Sequence, residues 1–491
     1  MISSILENKK IDKKFLSNLK NKRVTVMGLG SHGGGVGVVK FLAKKGAKIL
    51  ITDLKPKEEL GKSLEKLEGI SAKYVLGQHR SEDFINTDLV IKNPGVPNKS
   101  KYLKIARENK VPIETDIGIF FELCPAPIIG VTGTRGKSTT ATLIAEIFKK
   151  KYKKVVLAGN IRKSVLTELK NIDRETIVVL ELSSWQLAGA ANHLKSPHIA
   201  VVTNIFPDHL NRYDSFESYI DDKKLIFRFQ KKRDFLVINY NDPIVRNFAL
   251  KTRSQIYFYA SEKGIPEINF LQDKTVNIGC WLKGVEIVFG QEGKRICQLN
   301  EIKLRGEHNL TNILAAATVA MIYNIKPKLI YKTLKEFSGL EGRLELVSEI
   351  NGVKYINDTT ATIPEATIAA IRSFPLKKKK IILIAGGADK NLNFESLAKI
   401  IMRRVKGLIL LEGTATKKLR EAVEKRLVGK KLSLPIYQFD NMESAVWMAK
   451  ELSESGDIVL LSPACASFGL FKHEFDRGDQ FKNAVNQINY K

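Results

Sequence analysis

The sequence predicts an α/β protein built of three parallel-sheet domains. Short apolar runs that read as buried strands alternate with helical stretches along most of the chain. Two of the strand-to-helix turns are rich in glycine, at 28–37 and at 133–136. A length of 491 residues suits about three domains, and a hydrophobic fraction of 44% suffices for sizeable cores.

The first segment, 1–123, opens with a strand at 23–27 followed by Gly28-Leu29-Gly30-Ser31-His32-Gly33, a G-x-G-x-x-G pattern. Further glycines (Gly34, Gly35, Gly37) precede a helical stretch at 38–45. A second strand, 47–52, ends at Asp53, where a Rossmann-like fold puts its ribose-binding acid. Such a motif alone is weak evidence for NAD; it indicates a site for a nucleotide-like diphosphate without naming the nucleotide. Residues 89–92 read as a strand running into the turn Asn93-Pro94-Gly95-Val96-Pro97.

The second segment, 124–337, carries the most informative stretch. Ile128, Ile129 and Val131 read as a buried strand, Gly133-Thr134-Arg135-Gly136 turns the backbone, and Lys137-Ser138-Thr139 opens a helix. Glycines let backbone N–H groups converge on phosphate oxygens, the helix N-terminus adds positive potential, and Lys137 brings a point charge. Ser138 stands where a hydroxyl holds Mg2+ in a phosphate loop. The strict motif wants glycine at position 131, where this chain has Val131. An ordinary strand–turn–helix with a glycine hinge is the competing reading, but Gly-Lys-Ser-Thr after a strand favours ATP or GTP. Strands follow at 154–157, 177–182, 199–203 and 235–239. Several end in polar residues: Glu181 with Ser183-Ser184, Asn204 leading to Asp208-His209, and Asn239. Ligands of doubly wound sheets bind beyond the carboxyl ends of the strands. Each residue alone reads as a turn or cap; beside a phosphate loop, they read as a site.

The third segment, 338–491, begins near Gly339-Leu340-Glu341-Gly342-Arg343 and contains Tyr355-Ile356-Asn357-Asp358. Strands at 381–385, 407–411 and 458–461 give a second Rossmann-like βα alternation.

Composition narrows the class. The formal charge of +28 invites a nucleic-acid reading, but the lysines are scattered as pairs and short runs (149–151, 377–380). The charge instead suits polyanionic small substrates, and no nucleic-acid partner is expected. The start of the chain has no signal-like apolar core, and no run of about 18 apolar residues occurs. A cytoplasmic protein without membrane insertion is expected. Cys124, Cys280, Cys297 and Cys465 lack Cys-x-x-Cys spacing, so neither a zinc site nor a disulfide framework is indicated.

With these residues laid out, the chain resembles the Mur ligase family, the ATP-dependent amino-acid-adding enzymes of peptidoglycan synthesis. The resemblance spans nearly the whole chain, with its motifs in order. They are Thr-Gly-Thr-Arg-Gly-Lys-Ser-Thr (132–139), Gly-Asn-Ile (159–161), Glu-Leu-Ser-Ser-Trp-Gln-Leu (181–187) and Asp-His-Leu-Asn-Arg-Tyr (208–213). Gly-Glu-His-Asn-Leu-Thr-Asn (306–312), Gly-Leu-Glu-Gly-Arg (339–343) and Asn-Asp-Thr-Thr-Ala-Thr (357–362) follow. Gly-Gly-Ala-Asp-Lys (386–390) and Leu-Ser-Pro-Ala-Cys-Ala-Ser-Phe (461–468) complete the set.

The resemblance implies a monomeric ligase whose substrates are ATP, UDP-N-acetylmuramoyl-L-alanine and glutamate, D rather than L. ATP phosphorylates the alanyl carboxylate, and the glutamate amine attacks the acyl phosphate. Gly133, Thr134, Arg135, Gly136, Lys137, Ser138 and Thr139 would bind ATP phosphates, and Asn309 and Asn312 its adenine side. Arg343 and Asp358 would close over ATP from the third domain. Ser138 and Glu181 would hold one Mg2+; His209 and a carbamylated lysine would hold a second. Tyr219-Ile220-Asp221-Asp222-Lys223 matches the family's spacing, so the resemblance makes Lys223 the candidate, with Lys224 still open; Lys137, Glu181, His209 and Lys223 form the implied catalytic set. Asn160 and Ser183 would contact the muramoyl-alanine arm, Ser31, His32 and Asp53 the uridine diphosphate. Thr362, Lys390 and Ser467 match the glutamate pattern. The chain departs from the family at Thr360, where lysine is common, at Glu474, where an aromatic residue is usual, and in the extra glycines of 33–37.

Alternatives stay open at this point. They are an L-glutamate-adding variant, a folylpolyglutamate-synthase-like ligase, a non-catalytic ATP-binding scaffold, and an NAD-dependent oxidoreductase that would leave 132–139 unexplained.

Overall fold

A computed structural model describes residues 11–30, 33–160, 164–207, 213–263, 275–304, 306–374, 380–389, 392–428, 434–489. Three sheets organise the α/β architecture. The first contains β1 (Arg23–Met27), β2 (Lys48–Asp53), β3 (Ala72–Leu76), β4 (Leu89–Lys92) and β5 (Ile113–Glu114), in the order β3-β2-β1-β4-β5. All four of its strand pairs are parallel.

The second sheet is built from β6 (Ile128–Thr132), β7 (Val155–Gly159), β8 (Ile177–Glu181), β9 (Ile199–Val202) and β10 (Phe235–Asn239). It continues through β11 (Gln255–Lys263), β12 (Val276–Lys283), β13 (Glu286–Phe289) and β14 (Lys294–Gln298). Its order is β14-β13-β12-β11-β10-β9-β6-β8-β7. β6 lies parallel between β8 and β9, with Val131 opposite Glu181 and Thr132 opposite Val202. The carboxyl ends of these three strands are therefore level, and the loops leaving them meet. The extension 255–298 was absent from the sequence reading: β11 prolongs the parallel sheet, and β12–β14 add an antiparallel edge.

The third sheet contains β15 (Glu345–Ile350), β16 (Val353–Asn357), β17 (Ile381–Gly386), β18 (Val405–Leu411), β19 (Ile436–Phe439) and β20 (Ile458–Leu461). They are ordered β15-β16-β20-β17-β18-β19, and only β15 runs antiparallel to its neighbour. Alternation divides its side chains between two cores. Ile381, Leu383 and Ala385 face one, while Ile382 and Ile384 face the other.

The chain forms two compact units. One comprises 1–303 with 307–336, and the other 304–306 with 337–491. A single hydrophobic core reaches from Val24 and Ile51 of the first sheet to Leu180 and Ile238 of the second, which joins those sheets in one unit. Among the described residues no helix is long and apolar enough to cross a membrane.

Candidate active site

The phosphate loop leaves a strand buried along its whole length, β6. Gly133 (φ 145°) and Gly136 (φ 82°) take backbone angles that side chains resist. A Cβ would also collide with Thr203 Oγ1 at position 133 and with Asn312 Oδ1 at position 136. Asn204, beyond β9, braces the loop from outside: its carbonyl accepts from Thr134 N and its Oδ1 from Arg135 N, both at 2.9 Å. Gly136 then caps the Lys137–Lys149 helix without any side-chain hydrogen bond. The first N–H groups of a helix lack intrahelical acceptors, so this end suits an anion. Ser138 and Thr139 lie in that first turn. Lys137 Nζ bends back to donate to the carbonyls of Gly133 (3.0 Å) and Thr134 (2.9 Å).

Beside the loop, β8 delivers Glu181, which is 2% exposed. Its Oε1 accepts from Asn160 Nδ2 at 3.0 Å, while its buried Oε2 has no hydrogen-bond partner among the described residues. A buried carboxylate oxygen left open is costly unless a cation or donor meets it. With the Ser138 hydroxyl in the first turn of the neighbouring helix, this donor chemistry fits Mg2+, which prefers hard oxygens and few protein ligands. Two residues on, Ser183 caps the Ser184–Ala191 helix in a reciprocal pair with Gln186.

The Phe216–Arg228 helix separates the two lysines that the sequence left open. Lys223 is 2% exposed; its Nζ donates to Gly133 O at 2.8 Å and lies 4.6 Å from the Tyr219 ring centroid. Lys224 turns the other way and pairs with Asp221 at 2.7 Å. Tyr219, which sequence reasoning did not single out, joins this helix to the loop through its hydroxyl, 3.0 Å from Thr134 Oγ1. Asp222 is buried and accepts from Tyr213 OH at 2.9 Å; burial pushes its pKa up to about 6. His209 lies outside the described residues.

The Glu307–Ile322 helix places Asn309 and Asn312 one turn apart, with Asn312 Nδ2 donating to Asn309 Oδ1 at 3.3 Å. Thr140 Oγ1 donates to Asn312 Oδ1 at the same distance, which ties this helix to the one behind the phosphate loop.

In the first sheet, Asp53 is bound inward. Oδ2 accepts from Leu29 N (2.8 Å) and Gly30 N (3.0 Å), and Oδ1 accepts from Lys55 N (2.9 Å). Its carboxylate thus shapes the glycine turn from behind. Ser31 and His32 lie outside the described residues.

In the other compact unit, two loops meet at the ends of β16 and β20. Asp358 Oδ2 accepts from Ser462 Oγ at 2.8 Å and its Oδ1 from Leu344 N at 3.2 Å; burial raises its pKa to about 7. Thr360, from both its N–H and its hydroxyl, donates to Gly342 O, which fastens the loop bearing exposed Arg343. Ser467 is buried and Thr362 half-buried; Lys390 lies outside the described residues. Sequence reasoning missed Arg477. Fully buried, it donates to Thr359 Oγ1 (3.1 Å), Thr359 O (2.8 Å) and Cys465 O (3.3 Å), so one guanidinium binds the 357–362 loop to the 461–468 loop.

Three family descriptions match in succession. They are the MurD-like N-terminal domain over 22–115, the Mur ligase middle domain over 131–320, and the Mur ligase glutamate ligase domain over 342–465. A curated relative from Roseiflexus sp. (strain RS-1), named UDP-N-acetylmuramoylalanine–D-glutamate ligase, is 44% identical over 474 residues, covering 96% of this chain and 99% of its own. The chain belongs to the Mur ligase family.

A relative of the same name from Borreliella afzelii (strain PKo) is 40% identical over 96% of this chain and 99% of its own. Among solved Mur ligases, a UDP-N-acetylmuramate-alanine ligase from Thermotoga maritima matches with a TM-score of 0.60 at 19% identity. It covers 95% of this chain and 100% of that one. A MurF ligase from Thermotoga maritima, in complex with ADP, matches with a TM-score of 0.55 at 16% identity over 90% of this chain and 96% of its own. These two likenesses speak for the Mur ligase fold. Within that fold, Tyr219 and Arg477 escaped the sequence reading because neither stands out locally: one tyrosine among several, and one arginine in a polar helix.

Proposed function

We propose that this chain joins D-glutamate to UDP-N-acetylmuramoyl-L-alanine, releasing ADP and phosphate, as a cytoplasmic monomer in peptidoglycan synthesis. The supporting observation is a phosphate loop level with a buried, half-satisfied Glu181 on the next strand, in a chain whose relatives carry that name.

The chemical difficulty is that two anions must meet. The alanyl carboxylate attacks the γ-phosphorus, ADP departs, and an acyl phosphate forms. The glutamate amine then attacks the acyl carbon, loses a proton, and phosphate leaves an amide. Lys137 and the N-terminus of its helix supply fixed positive charge where negative charge gathers, so little reorganisation is needed during reaction. When bound, Mg2+ neutralises phosphate charge and polarises the phosphoryl group. Glu181 and Ser138 would hold one ion; His209 and Lys223 would hold a second.

In its carbamylated form Lys223 is a carboxylate-like ligand. A neutral amine adds to CO2 and releases a proton, and burial favours the neutral amine. The burial of Lys223 against the loop supports choosing it over Lys224, whose ammonium is engaged by Asp221. Thr134, Arg135 and Thr139 line the phosphate path with Gly133 and Gly136, and Asn309 and Asn312 take the adenine side. Asn160 and Ser183 orient the muramoyl-alanine arm. Ser31 and His32 grip the uridine diphosphate, with Asp53 acting through the turn it holds. From the other unit, Arg343 and Asp358 serve ATP, and Thr362, Lys390 and Ser467 serve glutamate.

Replacement of Lys137 by alanine tests the reading. ADP formation should vanish, because the loop has no second lysine; retention of more than a few per cent of activity refutes the assignment.

A further inference from the structure

We infer that the central sheet carries a second anion site, at the end of its strands opposite the phosphate loop, for a ligand bearing two or more phosphates. A cleft of about 600 Å3 opens there, lined by five cationic side chains: Lys224, Arg228, Lys231, Lys251 and Arg253. Among the described residues no aspartate or glutamate lines it. It shares no residue with the phosphate loop.

Topology fixes the location. β9, β10 and β11 run parallel to β6, and the residues before their starts, at 194, 229–231 and 251–253, form three walls of the cleft. The phosphate loop follows the carboxyl end of β6, so the two sites lie at opposite ends of the strands. The Phe216–Arg228 helix runs between them, with Lys223 turned to the loop and Lys224 and Arg228 lining the cleft.

The walls are fixed in advance. Buried Gln230 donates from Nε2 to Pro197 O (3.0 Å) and Phe235 O (2.8 Å), while its Oε1 accepts from Ser254 Oγ (2.9 Å). Ser196 Oγ donates to Leu225 O (3.0 Å) and accepts from Phe229 N (3.1 Å). The loops before all three strands are thereby tied together, and a preformed site avoids the entropy cost of ordering them.

Two of the five charges have another explanation. Lys224 pairs with Asp221, and Arg228 lies in the last helical turn, where the helix dipole favours a cation. Lys231, Lys251 and Arg253 have neither, being exposed and outside any ion pair among the described residues. Like charges drawn into one cleft repel unless an anion joins them, and the concave wall concentrates their field. The volume falls in the range of small-molecule sites and exceeds what one phosphate fills. Leu194, 49% exposed, and Phe229 give the cleft an apolar side for the rest of the ligand.

Phosphates of this kind occur in soluble nucleotide-like metabolites and in lipid headgroups, and one experiment separates them. Tripolyphosphate is titrated calorimetrically, at about 0.1 M salt, into the full chain carrying Lys137→Ala, which weakens the phosphate loop. Cardiolipin vesicles, whose headgroup carries two phosphates, are tested by co-sedimentation in parallel. Adding Arg228→Ala with Arg253→Ala should weaken binding roughly tenfold or more. Lys231→Ala with Lys251→Ala should do the same, and Arg253→Lys should retain binding. Loss of tripolyphosphate binding assigns a soluble ligand; loss confined to vesicles assigns lipid headgroups. Binding of both probes unchanged in both double variants, or absent from the parent, overturns the site.

Discussion

Asn160 and Glu181 are joined by a hydrogen bond of 3.0 Å that occupies one carboxylate oxygen and leaves the other, Oε2, buried without a hydrogen-bond partner among the described residues. On the proposed reading, Asn160 orients the carboxylate for a cation. Asn160→Ala should raise the Mg2+ concentration needed for half-maximal activity by roughly 10–100-fold, the usual effect of losing a group that positions a metal ligand. Glu181→Gln should be inactive at any Mg2+ concentration. A Glu181→Gln enzyme with the parent's Mg2+ dependence would remove the metal from this position.

Lys223→Ala should abolish activity, and acetate or another short carboxylate should restore part of it by standing in for the carbamate. Rescue by alkylamines instead would mean that the amine itself acts. Lys224→Ala should keep nearly full activity, because its partner Asp221 is an exposed side chain and such surface pairs contribute little.

The three-sheet architecture was legible because the strands of the parallel sheets are continuous apolar runs bounded by glycine and polar turns. Ile128–Thr132, followed by glycines and Lys137, is the plainest case. β12–β14 were not legible: Gly279 sits inside β12, β13 and β14 are only four and five residues long, and antiparallel pairing to an edge depends on a sheet already formed. In the site, the helix period resolves what sequence left open, since neighbouring lysines 223 and 224 point about 100° apart. Asp53 was read from its place at the end of a strand, yet its partners in the glycine turn lie 23 and 24 positions away and meet it only when β1 and β2 pair. Arg477 sits between acidic residues in a polar helix and reads as surface; only the folded loops reveal its three buried acceptors.

Gly136→Ala should fold less stably, with a loss of more than about 1 kcal/mol, because alanine must adopt a left-handed angle while its Cβ displaces Asn312. Thermal melting measures the loss. If the variant melts with the parent, the loop does not have this conformation.

Asp358 gives a pH dependence with a defined sign. Burial raises its pKa from 3.8 to about 7, against the opposing influence of Ser462, Leu344 N–H and Arg343. The folded state therefore holds the proton more tightly than the unfolded chain. Its contribution to stability is complete below about pH 4 and is lost as pH rises through about 7. Asp358→Asn should remove that slope, so the difference in melting temperature between variant and parent should change steadily from pH 4 to 8. A constant difference would show that Asp358 titrates normally.

The amino-acid substrate is the central claim. The measurement that tests it most directly is ADP release by the purified protein, with Mg2+, ATP and UDP-N-acetylmuramoyl-L-alanine, across a panel of D- and L-amino acids. D-Glutamate should support turnover well above every other amino acid, and Lys390→Ala should raise the KM for glutamate far more than that for ATP, since a buried carboxylate requires a cationic partner. Equal or faster turnover with L-glutamate, or with an amino acid lacking a side-chain carboxylate, would contradict the account.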